Sequence, residues 1–225
     1  MVTADYTLYH GDCLEIIPTL GLANVVLISD PPYGIGVKTN YKSRKRGALA
    51  ECNDFEPIIG DDKPFDPTPL LVFPVVVLFG ANYYHDKLSG GSWHVWDKLD
   101  GLKSKRELGF NDNSDCEFIW SSEPGASRIY HHRWMGAMKG SENGQRRIHP
   151  TQKPVALMVQ IINRHTVPGQ IVIDPYMGSG STGVACAETG RKFIGIEKNL
   201  DYFRMAKNRI EGAYLQPSLL DGFIE

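Results

Sequence analysis

Ile171-Val172-Ile173-Asp174-Pro175-Tyr176-Met177-Gly178-Ser179-Gly180-Ser181-Thr182-Gly183 reads as a strand, a glycine-rich turn and the start of a helix. Glycines permit positive φ and let a ligand approach the backbone closely. The helix start adds N–H groups that have no intrahelical partner. The helix is expected over Gly183–Thr189, ended by Gly190, and the next strand over Lys192–Ile196. Glu197 closes that strand, about 23 residues after Asp174. A carboxylate at that place commonly accepts hydrogen bonds from ribose hydroxyls, so the stretch predicts a nucleoside-binding β-α-β unit. A plainer reading of the same residues is a tight turn with Asp174 as its cap.

The turn lacks the Gly-Lys-Ser/Thr ending of a phosphate-cradling loop and is not a clean G-x-G-x-x-G. Asp174 at the strand tip repels a pyrophosphate and suits a cationic amine, such as the methionyl ammonium of S-adenosylmethionine. Outward from this unit, short apolar runs alternate with helical patterns, as in an α/β fold. Thr7–His10, Asn24–Ser29, Leu70–Phe79 and Gln170–Ile173 are strand candidates. Asn24–Ser29 is apolar on both parities, as a central parallel strand must be. Trp93–Trp96 and Glu117–Trp120 read as antiparallel strands nearer an edge. Leu14–Leu20, Lys153–His165 and Leu200–Ile210 carry helical spacing. Gly34–Pro69 reads as a long loop outside the core, and Glu123–Arg147 shows no clear period.

The chain has 225 residues, 42% hydrophobic and 22% charged, so disordered and fibrous classes are excluded. With 24 basic against 26 acidic residues the net charge is −2, which excludes a uniformly basic coat but not local patches. Four isolated cysteines, Cys13, Cys52, Cys116 and Cys186, suit a reducing cytoplasm better than a disulfide or zinc framework. The start of the chain lacks the pattern of a signal peptide. No apolar run approaches the roughly 20 residues of a membrane helix. Neither a membrane nor a metal partner is expected; His131-His132 has no Cys or acidic companion at ligand spacing.

Asp30-Pro31-Pro32-Tyr33 follows the strand Asn24–Ser29, and two prolines cannot continue a central strand. The stiffened loop holds a carboxylate and a backbone carbonyl beside an aromatic ring. Together they can accept both hydrogens of a planar exocyclic amine while Tyr33 stacks on its ring, steering the lone pair at an electrophile. An ordinary turn with an Asp cap is the alternative.

With both motifs in one chain, the sequence resembles the DNA amino-methyltransferases of the N6-adenine and N4-cytosine group, known by their DPPY or SPPY loop. Asp30-Pro31-Pro32-Tyr33 matches the catalytic motif. Asp174–Thr182 matches the cofactor motif D-P-F-x-G-S-G-T-T, with Tyr176 for Phe and Ser181 for Thr. His149-Pro150-Thr151-Gln152-Lys153-Pro154 matches a further signature. Catalytic before cofactor motif resembles the circularly permuted β group.

The resemblance covers essentially the whole chain. It implies one Rossmann-like methyltransferase domain over residues 1–225, a mostly parallel twisted sheet with helices on both faces and an antiparallel edge. It implies S-adenosylmethionine held by Asp12, Cys13, Asp30, Lys153, Asp174, Tyr176, Gly178, Ser179, Gly180, Thr182, Glu197 and Lys198. Asp12 is the candidate for the cofactor's adenine amine, and Lys153 and Thr151 for its methionyl end. Gly80-Ala81-Asn82-Tyr83 resembles another segment lining that end.

The implied partner is double-stranded DNA in a bacterial, archaeal or phage cytoplasm, within restriction-modification. Members of the permuted group often pair, which implies a homodimer. Adenine N6 is the implied acceptor, since DPPY is the commoner form in that branch; cytosine N4 is the alternative. An RNA or protein-amide methyltransferase and a catalytically silent DNA-binding regulator are the rival classes. A nucleotide hydrolase is disfavoured by the missing loop lysine.

Two basic stretches are candidate DNA contacts. Lys38–Arg46 offers Lys38, Lys42, Arg44, Lys45 and Arg46. Arg128–Arg147 offers Arg128, Arg133, Arg146 and Arg147 among aromatic residues. The target-recognition insertion, around 121–148, is short, which predicts a short or degenerate recognition sequence or help from a partner.

Overall fold

The computed structural model describes residues 5–21, 23–39, 55–102, 114–134, 139–142, 144 and 147–215. Its strands are β1 (Tyr6–His10), β2 (Val25–Ser29), β3 (Val75–Phe79), β4 (Ser92–Asp97), β5 (Cys116–Ser121), β6 (Ile129–His131), β7 (Ile171–Asp174) and β8 (Lys192–Glu197). The helices are α1 (Cys13–Ile16), α2 (Val155–His165), α3 (Ser181–Glu188) and α4 (Leu200–Leu215). The strands form one sheet in the order β1-β8-β7-β2-β3-β5-β4-β6. All described pairings are parallel except β3–β5 and β4–β5, so β5 alone runs against the rest. The antiparallel strand therefore lies two strands in from the edge, with β4 and β6 outside it.

Side chains of β2 and β3 alternate between two cores. Val26, Ile28, Val77 and Phe79 face one, with Leu157, Ile161, Ala185, Ala206 and Ile210 of α2, α3 and α4. Val25, Leu27, Val76 and Leu78 face the other. Among the described residues, that second face has α1 and 3-10 turns over it, completed by Phe65, Leu70, Phe73 and Tyr84. Phe65 belongs to the stretch read as lying outside the core. An isolated aromatic among prolines and acids carried no periodicity, yet burial of the ring offsets the loop's polarity.

Leu70–Phe79 becomes a strand only from Val75; Thr68–Leu70 forms a 3-10 turn, and Pro74 ends the irregular part because it cannot donate to a ladder. Leu14–Leu20 divides likewise into α1 and the 3-10 turn Ile17–Thr19, which has Pro18 near its start. Strand β6 lies in a stretch that showed no period; three residues are too few to show one. No described helix is long and apolar enough to cross a membrane.

Candidate active site

The carboxyl ends of β1, β8, β7, β2 and β3 share one edge of the sheet, where open α/β folds hold ligands. A cleft of about 1160 Å³ opens there. It brings together Asp12, Cys13, Asp30, Pro31, Pro32 and Tyr33 with Thr151, Lys153, Tyr176, Gly178, Glu197 and Lys198. These residues come from opposite ends of the chain, and only the sheet makes them neighbours.

Asp30 leaves the end of β2 with both oxygens engaged. The Tyr33 hydroxyl donates to Oδ1 at 2.5 Å and the Lys153 ammonium to Oδ2 at 2.5 Å. Lys153 also lies 3.3 Å from Glu117 Oε2, and Lys98 donates to Glu117 Oε1 at 2.6 Å. Two cations and two carboxylates thus form one partly buried, charge-balanced group around the Tyr33 phenol. Burial holds the Asp30 carboxyl above the ordinary aspartate value, against the pull of Lys153. Burial opposes the charge of Lys153, but Asp30 and Glu117 together keep its pKa above the usual lysine value. Glu117 is also opposed by burial, yet Lys153 and Lys98 hold it below the usual glutamate range.

Tyr33 packs directly on the backbone of Gly80, which follows β3 with φ +65°. Its ring stacks on Tyr83, centroids 5.3 Å apart and planes 19° from parallel. Tyr83 is half exposed, so the partner of Tyr33 in this structure sits where an incoming flat ring would compete for the same face.

The other half of the cleft is shaped for a nucleoside. Glu197 Oε2 accepts from the Gly178 N–H at 3.0 Å and Oε1 from the Asn199 N–H at 2.7 Å. Each carboxylate oxygen has a further lone pair, so ribose hydroxyls can still be bound. Asp12 caps α1 through the Leu14 N–H at 2.9 Å and takes the Lys198 ammonium at 2.8 Å. The Lys198 hydrogen bond holds its carboxyl below the usual range, ionised beside the cleft. Gly178, φ +47°, lets the His149 ring approach, where a Cβ would lie 3.3 Å from Nε2. The residues present fit an adenosyl group.

Asp174, expected to meet a cationic amine, points inward instead. Ser29 Oγ donates to its Oδ1 and Thr182 Oγ1 to its Oδ2, each at 2.6 Å, and the Tyr176 N–H adds a third bond. Asp174, Ser179, Gly180 and Thr182 do not line the cleft; they build the turn that does. The motif locates the strand-to-helix turn, but a spacing does not show which way a carboxylate turns.

Burial raises the Asp174 pKa to about 6. A carboxyl raised on folding contributes stability that is present at low pH and lost as pH rises through the folded pKa. Between pH 7 and 5 the wild type should therefore gain about 1 kcal/mol relative to Asp174→Asn. Paired denaturant titrations at the two pH values measure this difference.

Asp61 was not singled out by any motif. Its buried carboxylate accepts from the N–H groups of Gly34 at 2.9 Å, Ile35 at 3.3 Å and Val37 at 2.6 Å. It thereby fixes the chain that leaves Tyr33. Asp61→Ala strands several donors, each worth about 1–3 kcal/mol when buried, and should lower stability by about 3 kcal/mol. Asp61→Asn should lose less, because its amide oxygen keeps part of the set. Chemical denaturation of the two variants tests the order.

The basic candidates separate. Arg147 lines the cleft with its guanidinium over Trp134, 5.9 Å from the ring centroid. Lys38 is exposed just beyond the loop that Asp61 holds. Arg133 lies 3.9 Å from Asp100, off the cleft wall. Arg128 immediately precedes β6; its carbonyl accepts from Val95 and its N–H donates to His94 Nδ1. Arg128 does not line the cleft. Lys42, Arg44, Lys45, Arg46 and Arg146 lie outside the described residues. Among the described residues, no group of three His, Cys, Asp or Glu is placed to hold a metal ion.

Glu117, Lys98 and Asp61 are the site residues that sequence reasoning did not assign to the site. Gly80 opens the segment that the family resemblance set along the methionyl end, and the structure sets it against the Tyr33 ring. Glu117 gave no signal, for it lies near the start of a strand and not at its end.

The chain is similar to known proteins in sequence and in fold. Residues 95–208 match the model of a family described as DNA methylase, the N6 and N4 methyltransferases. The Type II methyltransferase M2.LlaDCHI of Lactococcus lactis subsp. cremoris is 35% identical over 122 residues, 52% of this chain and 40% of that protein. The DNA adenine methyltransferase YhdJ of Escherichia coli K12 is 51% identical over 65 residues, 29% of this chain and 22% of that one. The chain thus spans well under two thirds of either relative.

Among solved structures, the M1.HpyAVI–SAM complex superposes with a TM-score of 0.57 at 27% identity, over 91% of this chain and 98% of that one. The cytosine-N4-specific PvuII DNA methyltransferase shares the fold, with a TM-score of 0.60 at 16% identity over 95% and 92%. The fold is therefore the Rossmann-like one of the S-adenosylmethionine-dependent DNA methyltransferases. With its family model covering half of its length and its two motifs meeting in one cleft, the chain belongs to the N6/N4 DNA methylase family.

Proposed function

We propose that this protein transfers the sulfonium methyl group of S-adenosylmethionine to the exocyclic N6 amine of adenine in double-stranded DNA. The observation that carries the reading is that Asp30 and Tyr33 face the same cleft as Gly178, Glu197 and Asp12. A structure of M1.HpyAVI holds the same cofactor, and YhdJ carries adenine in its name.

Glu197 holds the ribose hydroxyls and Asp12 accepts from the adenine amine of the cofactor. When bound, S-adenosylmethionine supplies an electrophilic methyl carbon. The acceptor base leaves the helical stack to enter the cleft. Asp30 and the Pro31 carbonyl accept the two amine hydrogens, turning the lone pair towards the methyl carbon. Tyr33 supports the ring and donates its hydroxyl proton to Asp30. The N–C bond forms as the C–S bond breaks, and the proton that the methylated amine sheds passes to Asp30. The burial that raises the pKa of this carboxyl makes it a better acceptor for that proton. Arg147 and Trp134 at the cleft wall suit a phosphate and a flipped or neighbouring base.

The test is transfer of labelled methyl from S-adenosylmethionine to unmodified genomic DNA, followed by mass spectrometry of the nucleosides. Label in N6-methyldeoxyadenosine is the expected result. Label in N4-methyldeoxycytidine would reassign the base, in keeping with the fold shared with the PvuII enzyme. Label in RNA or protein but not in DNA would overturn the reading.

A further inference from the structure

We infer that Glu117 is a positioning residue, the carboxylate that takes over the Lys153 ammonium when Asp30 engages the acceptor amine. The inference rests on the proposed methyl transfer. In this structure both Asp30 oxygens are engaged, one by Tyr33 and one by Lys153 at 2.5 Å. An amine hydrogen reaching Asp30 must therefore displace Tyr33 or Lys153, or share an oxygen with one of them, and of the two Lys153 lies nearer a second carboxylate, 3.3 Å against 3.5 Å from Glu117 Oε2.

Lys153 has little room for this. It is 7% exposed, and its segment is fixed by Gln152, which donates to Glu142 at 3.0 Å, and by the Val155 N–H, which donates to Glu142 at 2.8 Å. Moving a buried ammonium away from its carboxylate is prohibitive unless another one waits. Glu117 Oε2 waits at 3.3 Å, near enough to be reached by a small side-chain rotation.

Lys98 makes this arrangement specific. Its ammonium occupies Oε1 of Glu117 at 2.6 Å and leaves Oε2 turned towards Lys153. Strand β5 supplies the geometry: it runs against β3, so its beginning lies at the carboxyl edge, with Glu117 opposite Trp96 of β4. Lys153 faces Asp30, Glu117 and Tyr33, with His149 on its own segment. Asp30 faces Lys153, Tyr33 and Glu117, and reaches Asp174 through Ser29.

The charge of Glu117 raises the pKa of both Asp30 and Lys153. Neutralising it should therefore move the acid limb of a rate–pH profile, which Asp30 sets, to lower pH.

The experiment is single-turnover methyl transfer to DNA across pH 5–10 by the full chain, with cofactor affinity and melting measured alongside. Glu117→Gln should lose about 30-fold in rate at neutral pH, as misplaced reacting groups do. Its profile should shift as stated, while cofactor affinity changes less than threefold. Glu117→Asp, which keeps the charge but retracts it, should recover much of the rate and the wild-type profile. A wild-type rate in Glu117→Gln, or a slower rate with an unshifted profile, would overturn the inference. Should Glu117→Gln fail to fold, Glu117→Asp decides: a rate loss as large as that expected for Gln refutes it, and a partial loss with the wild-type profile supports it. A wild-type protein that transfers no methyl group to DNA would instead refute the proposed function.

Discussion

Asp30→Ala should lose at least about 1,000-fold in methyl transfer, the range set by removing a group that both orients the nucleophile and takes its proton. The substitution removes the acceptor of the Tyr33 hydroxyl and of the Lys153 ammonium together. Lys153 retains Glu117 at 3.3 Å, so the pocket does not acquire a wholly unpaired cation and the fold should survive. Cofactor affinity should change less than about tenfold, because Glu197, Gly178 and Asp12 form a separate half of the cleft whose hydrogen bonds do not involve Asp30. Asp30→Asn separates two parts of the role. The amide keeps the size and one acceptor oxygen but cannot take up a proton, and it should be nearly as slow as Ala if proton uptake matters. Equilibrium binding of cofactor and single-turnover transfer, measured on the same preparations, test both expectations. Transfer at the wild-type rate in either variant would remove Asp30 from the reaction.

Gly80→Ala should also be strongly damaging, although Gly80 touches no reacting atom. A Cβ at this position would sit 2.1 Å from Cε1 of Tyr33, and the backbone there has φ +65°. The left-handed conformation alone costs a non-glycine residue about 1–2 kcal/mol. The overlap cannot be relieved in place, because the colliding atoms belong to a ring and not to the end of a flexible chain. Tyr33 must swing away, which breaks its bond to Asp30 and its stacking on Tyr83. A displacement of about 1 Å among reacting groups costs on the order of 100-fold in rate. The expected result is that loss together with a lower melting temperature and nearly unchanged cofactor binding. A compensating Tyr33→Ala in the Gly80→Ala background should restore most of the stability but not the rate. Melting curves of the two single variants and the pair check this.

What the sequence disclosed follows the range of the interactions involved. Strand β2 was legible because four successive residues, Val25 to Ile28, are apolar on both parities, a demand that a central parallel strand makes locally. The DPPY loop and the glycine turn were legible because prolines and glycines act through their own backbones. Glu117 was hidden because its role depends on the antiparallel run of β5, a pairing between distant segments. Asp61 was hidden for the same reason: an acid in a polar run shows nothing until three N–H groups from 24 to 27 residues away converge on it. Asp174 was identified by its motif but turned inward, because Ser29 and Thr182 compete for it and neither contact is a matter of spacing. Arg128 belonged to a charge run, and a charge run does not say which of its members line a cleft.

The position of β1 has a consequence for how the molecule is made. Among the described residues its sheet partner is β8, beginning 186 residues after it. A ribosome adding about 5–20 residues per second needs on the order of ten to forty seconds to deliver that partner. Throughout this interval the segment from Tyr6 to His10 has neither its ladder nor its neighbours, while β2, β3, β4 and β5 can already pair among themselves. Asp12 meets Lys198 only after this wait. The nucleoside half of the cleft is thus the last part to close, and a nascent chain holds its reactive loop before it has anywhere to seat the methyl donor.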